Sequence, residues 1–292
     1  MATALFVGLS TLDIAYAVDS YPAEDTKTRA RDQFLGAGGP AGNAAVAHAI
    51  LSGVSPTLLT ALGRHYLAEV VRGDLRTHGV TVVDTAPERT EPPPVSSIVV
   101  ALGAQSRTIV SLDASRVHVP FDPEWAAYVA DADLVLVDGH LPELAVGIAG
   151  CAKESGVPVV LDAGRWQDVH TRLLPLVDIA ICSAAFVPPD PDPADDPFDH
   201  LHSLGPTRVA ITRGAEPIRY SDAGRRGEIE VVSVPGADTL GAGDILHGAF
   251  CFHYPRSGDF VDALRRASAV ATLSCRSFGT RQWGRHLNEL PA

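Results

Sequence analysis

Six short, nearly continuous apolar runs, at residues 5–9, 57–62, 134–137, 157–161, 179–182 and 209–212, punctuate this chain from end to end. A strand that is apolar on both faces must be covered on both faces, which is the situation inside a parallel sheet flanked by two helical layers. Helical patterns lie between the runs, at 42–52, 67–78, 142–155, 245–253 and 260–275. Such alternation requires right-handed βαβ crossovers. The expected fold class is α/β, a three-layer αβα sandwich with a central, mostly parallel sheet. No internal repeat or long linker divides it, so residues 1–292 read as a single domain.

Two stretches break the alternation. Residues 14–35 alternate roughly and carry many charges, among them Lys27. Residues 96–113 read as a hairpin with a turn at 103–106. Half-polar strands suit a small sheet standing apart from the main core as a lid; an edge extension of the main sheet is the other arrangement. The proline-rich, acidic segment 188–197 reads as a solvated surface loop.

Charge and cysteine usage narrow the function classes. The formal net charge is −12 and the only lysines are Lys27 and Lys153, a balance that argues against non-specific nucleic-acid or anionic-membrane binding. Cys151, Cys182, Cys251 and Cys275 are scattered and form no CxxC pair, as in a reduced, intracellular protein. Asp13 and Asp19 interrupt the first apolar run, and no apolar stretch is long enough to span a bilayer. A cytoplasmic location is expected.

The feature richest in chemistry is Asp238-Thr239-Leu240-Gly241-Ala242-Gly243-Asp244. It follows a β-rich run at 228–234 and precedes an apolar helical segment, so the Gly-Ala-Gly turn falls at a helix N-terminus. Backbone amides there lack intrahelical partners, the helix dipole adds positive potential, and small residues admit a ligand close to the backbone. The turn is suited to be an anion hole for a transferring phosphoryl group. Asp244, in the first helical turn beside it, could accept the proton of an attacking hydroxyl; helix capping is its plainer role. A second glycine-rich segment, Gly36-Ala37-Gly38-Gly39-Pro40-Ala41-Gly42-Asn43, leads into another helix. It is neither a GxGxxG dinucleotide fingerprint nor a Walker A loop. Asn43 offers an amide to ligand hydroxyls, and close strand–helix packing is the alternative reason for the glycines. Among the histidines, His247 is expected to pack within its helix, and His200 and His202 lack a metal-binding context. No GxSxG or zinc-type spacing occurs.

Together these segments resemble the ribokinase-like (PfkB-type) carbohydrate kinases over nearly the whole chain. Residues 8–13 look like the family's first strand, the 36–53 segment like its first signature and 238–250 like its second. Within the family the chain looks most like the ketohexokinase and sulfofructose kinase members. The resemblance implies an αβα core, a β-sheet lid, Mg-ATP as donor and a lid-to-lid homodimer. It implies sugar contacts from Asp13, Gly38, Gly39 and Asn43, helped by Lys27 and Arg107, an anion hole of Gly241, Ala242 and Gly243, and Asp244 as base. Thr212 and Gly214 match the nucleotide-binding turn, Cys275 and Gly279 fall near the adenine, and Asp238 and Leu240 match a monovalent-cation (K+) site. Many members carry an Asn-x-x-Glu motif where this chain has Ser183-Ala184-Ala185-Phe186, so the protein ligands of Mg2+ stay undefined. His140 stands where a sulfosugar kinase would carry an arginine, and a sulfonate or phosphate substrate is not supported. The reading is a kinase for a small, ketohexose-like sugar. The alternatives are a nucleoside kinase, which would favour apolar groups facing a base, and a non-catalytic ligand-sensing relative, which would have lost Asp244 or the glycines.

Overall fold

The computed structural model of the protein describes residues 3–189 and 196–290. In chain order its strands are β1 (Ala4–Val7), β2 (Thr11–Val18), β3 (Asp32–Gly38), β4 (Thr57–Thr60), β5 (Thr81–Asp84), β6 (Val95–Ala101), β7 (Ser106–Val110), β8 (Leu134–Val137), β9 (Val159–Ala163), β10 (Ile179–Ser183), β11 (Arg208–Arg213), β12 (Glu216–Asp222) and β13 (Arg225–Ile229). Its helices are α1 (Pro40–Ser52), α2 (Tyr66–Thr77), α3 (Ala127–Ala130), α4 (Pro142–Ser155), α5 (His170–Leu173), α6 (Pro197–Ser203), α7 (Ala242–Ser257) and α8 (Phe260–Ser274).

The main sheet has the order β13-β12-β11-β10-β9-β8-β1-β4-β5. From β11 to β5 every neighbouring pair is parallel, and β12 and β13 add an antiparallel edge. Side chains of successive strand residues point to opposite faces, and here each face feeds its own core. Phe6, Leu134, Leu136, Ile179 and Ile181 pack under α1, α2, α7 and α8. Leu5, Val7, Val135, Val137, Ala180 and Cys182 pack under α4, α5 and α6. The double coverage expected from the continuous apolar runs is therefore met on both faces.

A separate four-stranded sheet has the order β3-β2-β6-β7. It draws two strands from the 14–35 region and two from the 96–113 hairpin, and stands apart from the main sheet. Its pairing register sorts its side chains. Ala15, Phe34 and Ile98 stand opposite one another and turn inward, packing with Val100, Leu240 and Phe278. Ile14, Leu35, Ser97 and Val110 share the opposite, outward face.

Several boundaries differ from the sequence reading. Residues 8–13 are not a first strand: β1 ends at Val7, and Asp13 belongs to the small sheet. The run expected at 228–234 is strand only at Glu228 and Ile229. β13 forms the sheet edge, and once its pairing with Ile218 ends at Ile229 no strand lies beyond it. β5 and β12, short or rich in charge, carry no continuous apolar signal. Helix α1 starts at Pro40, whose fixed φ and missing N–H suit the first helical turn. Of the acidic segment 188–197, residues 190–195 lie outside the described residues; Pro197 opens α6, with Asp196 capping it onto Phe198 N.

Helices α1 and α7 pack side by side. A Cβ built on Gly248 would lie 2.2 Å from the Ala44 carbonyl oxygen and 2.8 Å from Ala47 Cβ. Only hydrogen fits between the two backbones there. Gly248→Ala is expected to lower the unfolding free energy by about 1–3 kcal/mol through overpacking. A urea titration measures this as a lower midpoint at constant slope; an unchanged midpoint would mean that the helices separate at little cost.

Candidate active site

The order of the main sheet reverses at β1. From β1 the chain passes through the small sheet to β4 and β5 on one side, then returns to β8 on the other and continues outward to β11. A crevice opens at such a switch point, beyond the carboxyl ends of the strands. Asp138, just past β8, staples this crevice together. Its Oδ2 accepts from Leu9 N at 2.8 Å and Ala41 N at 3.2 Å, and its Oδ1 from His140 N at 2.9 Å. Gly8 is glycine because a Cβ there would meet the Asp138 carboxylate at 2.1 Å. The first turn of α1 is thereby fixed above the end of β1.

The first turn of α7 faces it. Gly241 caps the helix at φ 69°, a left-handed conformation. The Ala242 amide closes a turn onto Thr239 O at 3.3 Å and the Ile245 amide returns to Gly241 O at 2.8 Å. Among the described residues the amides of Gly241, Gly243 and Asp244 have no protein acceptor. The three donors left for a ligand are thus Gly241, Gly243 and Asp244, with Ala242 already engaged.

Asp244 Oδ2 accepts from Asn43 Nδ2 at 2.8 Å, so the two glycine-rich segments are brought into one site. Burial raises the Asp244 carboxyl above its ordinary value; the Asn43 hydrogen bond and the charges of His247 and Arg107 pull it back down. His247, one turn further along α7, is buried. Its Nδ1 lies 2.7 Å from Gly243 O and 3.3 Å from Asp162 Oδ2, and its Nε2 lies 3.1 Å from Ile181 O. The ring is packed as expected, and it also clamps the anion-hole turn onto β9 and β10. Asp162 is buried too, and its carboxyl is pushed upward, burial being the largest cause.

Asp13, on β2, is buried beside this pair and accepts from Thr11 Oγ1. Burial raises its carboxyl, with hydrogen bonds from Thr11 and Ser96 opposing. A Cβ on Gly38 would lie 2.0 Å from Asp13 Oδ2, and one on Gly39, at φ 85°, would lie 2.4 Å from Leu9 O. Gly39 is required by close backbone approach, and Gly38 leaves room for the Asp13 carboxylate, whatever ligand they meet. Arg107 reaches inward from β7 to the Thr239 hydroxyl and so ties the small sheet to the anion-hole loop.

The remaining candidates are spread out. Lys27 is exposed in the irregular stretch between β2 and β3 and makes no hydrogen bond among those of the described residues. His140 lies past β8 on a cleft of about 560 Å³ shared with His118, Arg165 and Trp166. Thr212 lies in β11 next to its last residue, its hydroxyl donating to Cys182 O at 3.3 Å, and Gly214 turns the chain at φ 66°. Cys275 caps α8 and its carbonyl accepts from Asp238 N at 3.0 Å. The last turn of α8 also borders a cavity of about 230 Å³ lined by Val232, Thr272 and Leu273. Gly279, at φ 80°, is placed against Phe34 of the small sheet, where a Cβ would come within 2.9 Å. The Asp238 carboxylate accepts from Leu240 N at 3.0 Å and Gly279 N at 2.8 Å.

Sequence reading passed over Asp138, Asp162 and Arg281. Asp138 and Asp162 each follow an apolar strand run and terminate it with a charge, which is the signal that could have found them. Arg281 has no local signal of this kind.

The sequence profile of pfkB family carbohydrate kinases matches residues 1–284. Ribokinase of Bacillus subtilis is 25% identical over 277 residues, covering 91% of this chain and 92% of that protein. Mouse ketohexokinase is 34% identical over 109 residues, covering 37% of this chain and 36% of its own. The structure of Arabidopsis thaliana ribokinase with ribose and ATP superposes with a TM-score of 0.74 at 21% identity, covering 96% of this chain and 94% of that one. With a profile match spanning nearly its whole length and a fold shared with a solved ribokinase, the chain belongs to the pfkB family of carbohydrate kinases.

Proposed function

We propose that this protein transfers the γ-phosphoryl group of ATP to a hydroxyl of a small, ketohexose-like sugar, with Asp244 as the general base. One observation carries the reading: a half-buried carboxylate stands in the same helical turn as three unpaired backbone amides, Gly241, Gly243 and Asp244. Phosphoryl transfer asks the protein mainly for position and for donors aimed at developing charge. The amides and the dipole of α7 supply the donors, and Asp244 takes the proton of the attacking hydroxyl. The polar surroundings of Asp13, Asn43 and Arg107 suit hydroxyl groups better than the flat apolar face of a nucleobase. The names of the relatives, ribokinase and ketohexokinase, support a sugar acceptor, and the ribose and ATP of the Arabidopsis structure support the pairing. Within this reading the small sheet is the lid over the sugar, and Gly38, Gly39 and His140 border it. Thr212, Gly214 and Cys275 line the path of the nucleotide.

Among the described residues no group of three or more His, Cys, Asp or Glu side chains is arranged to hold a metal ion. A Mg2+ ion that arrives on nucleotide phosphates needs few protein ligands. Asp162, whose buried Oδ2 lacks a hydrogen-bond donor, is the carboxylate suited to it, and the ion would supply charge neutralisation on the phosphates. Asp238 and the Leu240 carbonyl are the proposed place for K+; the carboxylate binds two backbone amides and pairs with no basic side chain among the described residues.

We also propose a homodimer through the outward face of the lid. Tyr16, Leu35 and Val110 lie there at 41%, 56% and 69% exposure, an apolar patch that a second copy would cover. A cytoplasmic location is in keeping with four unpaired cysteines and with the absence, among the described residues, of a helix long and apolar enough to cross a membrane.

Coupled ADP release with a panel of ketohexoses, aldopentoses and nucleosides is expected to select a sugar. Asp244→Asn should then lower kcat by roughly two to four orders of magnitude; equal turnover in both proteins removes the assignment. Asp244 must be ionised to accept a proton, and burial places its folded pKa above the ordinary 3.8. Activity is therefore full above that raised value and lost as pH falls through it. The acid limb of kcat/KM should lie above the ordinary carboxylate range, and a limb at or below 3.8 would contradict the burial argument. In light scattering, Leu35→Glu with Val110→Glu should convert a dimer to a monomer; a wild-type monomer would refute the interface.

A further inference from the structure

One wall of the site holds a chain of charged hydrogen bonds that the phosphoryl-transfer chemistry leaves unused. It starts at Asp74 on α2 and passes through Arg281 to Asn43. Asp74 Oδ2 lies 3.0 Å from Arg281 Nη2 and 3.3 Å from Arg281 Nε. Arg281 Nη1 donates to Asn43 Oδ1 at 3.0 Å and to Thr280 Oγ1 at 2.6 Å, and Nη2 donates to the Ala37 carbonyl. The Arg281 side chain is 9% exposed and lies over the Phe34 ring, 5.9 Å from its centroid. Both ends of the chain are anchored. Asp74 accepts a further bond from Ala37 N at 3.0 Å, and the Trp283 indole N–H, fully buried, donates to Thr280 O at 3.1 Å.

The orientation of the Asn43 amide follows from what faces it. A guanidinium carries donors only, and an ionised carboxylate carries acceptors only. Asn43 stands between the two, with Arg281 on its oxygen side and Asp244 on its nitrogen side. Turned by half a revolution, its NH2 would face a guanidinium and its oxygen a carboxylate, leaving two buried mismatches. One rotamer state of the amide satisfies both neighbours, and Arg281 and Asp244 select it together.

We propose that Arg281, held by Asp74, is a positioning residue that fixes the Asn43 amide with its N–H toward Asp244, so that the carboxylate is kept in one place and in its ionised form. The inference rests on the reading of Asp244 as the base. Loss of Arg281 removes the anchor on the amide oxygen, so that Asn43 is held by Asp244 alone and its donor is less firmly placed. Of the other charged groups facing Asp244, namely Arg107, His247, Asp138, Asp13 and Asp162, Asp13 also feels the Arg281 charge, which pulls its carboxyl down, so the comparison with Asn43→Ala is what separates the path through the amide from the path through Asp13.

The test is a double-mutant cycle on the full-length enzyme. Arg281→Met keeps the bulk of the side chain and removes its donors. It is expected to lower kcat by roughly 10- to 100-fold, the range for a charge-assisted hydrogen bond, and to move the acid limb of the pH–rate profile to higher pH. Asn43→Ala should show a comparable loss, and the double variant should match Asn43→Ala within about twofold, since Arg281 acts through Asn43. Multiplicative losses, or an Arg281→Met enzyme with the wild-type kcat and acid limb, would overturn the proposal. Should Arg281→Met fail to fold, Asp74→Asn in the same cycle with Asn43→Ala tests the same coupling: non-additive losses support it and multiplicative losses overturn it. Asp244→Asn separates the two claims. If that variant turns over at the wild-type rate, the base assignment fails; if it is inactive while Arg281→Met is normal, only the positioning role fails.

Discussion

The site depends on how closely α1 and α7 approach. Both helices begin at the same end of the sheet, and Gly248 lets their backbones touch at the Ala44 carbonyl. Because the two axes are fixed relative to each other, their first turns are fixed as well. The 2.8 Å bond from Asn43 to Asp244 is a consequence of that helix contact, since neither residue is brought to the other by its own loop. Each first turn has a glycine cap with positive φ and no side-chain cap, Gly39 at 85° and Gly241 at 69°. Ordinary caps would satisfy the terminal amides and close the site. At α7 the amides of Gly241, Gly243 and Asp244 stay bare among the described residues, whereas at α1 the Ala41 amide is taken by Asp138 and the Gly42 amide by the Leu9 carbonyl.

An acidic protein that binds polyanions looks contradictory only at the level of net charge. The formal charge of −12 is spread over the whole chain, and in physiological salt it is screened within about 8 Å. At the proposed phosphate site the field is local: three unpaired amides, a helix dipole and Arg107. The carboxylates Asp13, Asp138, Asp162 and Asp244 crowd the same crevice, and three of them, Asp13, Asp162 and Asp244, are raised by burial. Each is nevertheless provided with donors or a nearby histidine. Asp138 takes three backbone amides, Asp13 takes Thr11 and Ser96, Asp162 faces His247, and Asp244 takes Asn43. The cleft is a set of buried carboxyls, most of them held by hydrogen bonds from their own neighbours, with the Asp162 Oδ2 and the bare amides of α7 left without hydrogen-bond partners among the described residues.

The parts of this arrangement that were legible in the sequence are those encoded locally. Continuous apolar runs gave away the parallel strands, and the Gly-Ala-Gly turn gave away the start of α7 and the place of Asp244. Gly38 and Gly39 could be recognised as close approaches, though not that Gly38 makes room for the Asp13 carboxylate. What escaped notice is encoded at long range. Arg281 meets Asn43 and Asp74 across most of the chain length, and an arginine in a polar C-terminal stretch has no period or motif to betray it. Lys27, expected to help hold the sugar, lies on the exposed connection between β2 and β3. Gly279, expected near the adenine, lies at positive φ against Phe34, a packing demand that no neighbouring residue announces.

The lid and the anion hole are not separate devices. Leu240, one residue before the Gly-Ala-Gly turn, is buried in the small core that the inner face of the lid makes with Ala15, Ile98 and Val100. Thr239 receives Arg107 from the lid's last strand, and Asp238 holds Gly279, which supports Phe34 from below. Three consecutive residues thus meet the small sheet, Asp238 by way of Gly279, and the next three form the Gly-Ala-Gly turn proposed to hold the phosphate. Packed interiors transmit displacement because they have little free volume. A displacement of the small sheet against Leu240 would carry the backbone of Gly241 with it, so the placement of that sheet and the geometry of the unpaired amides are set by one short stretch of chain.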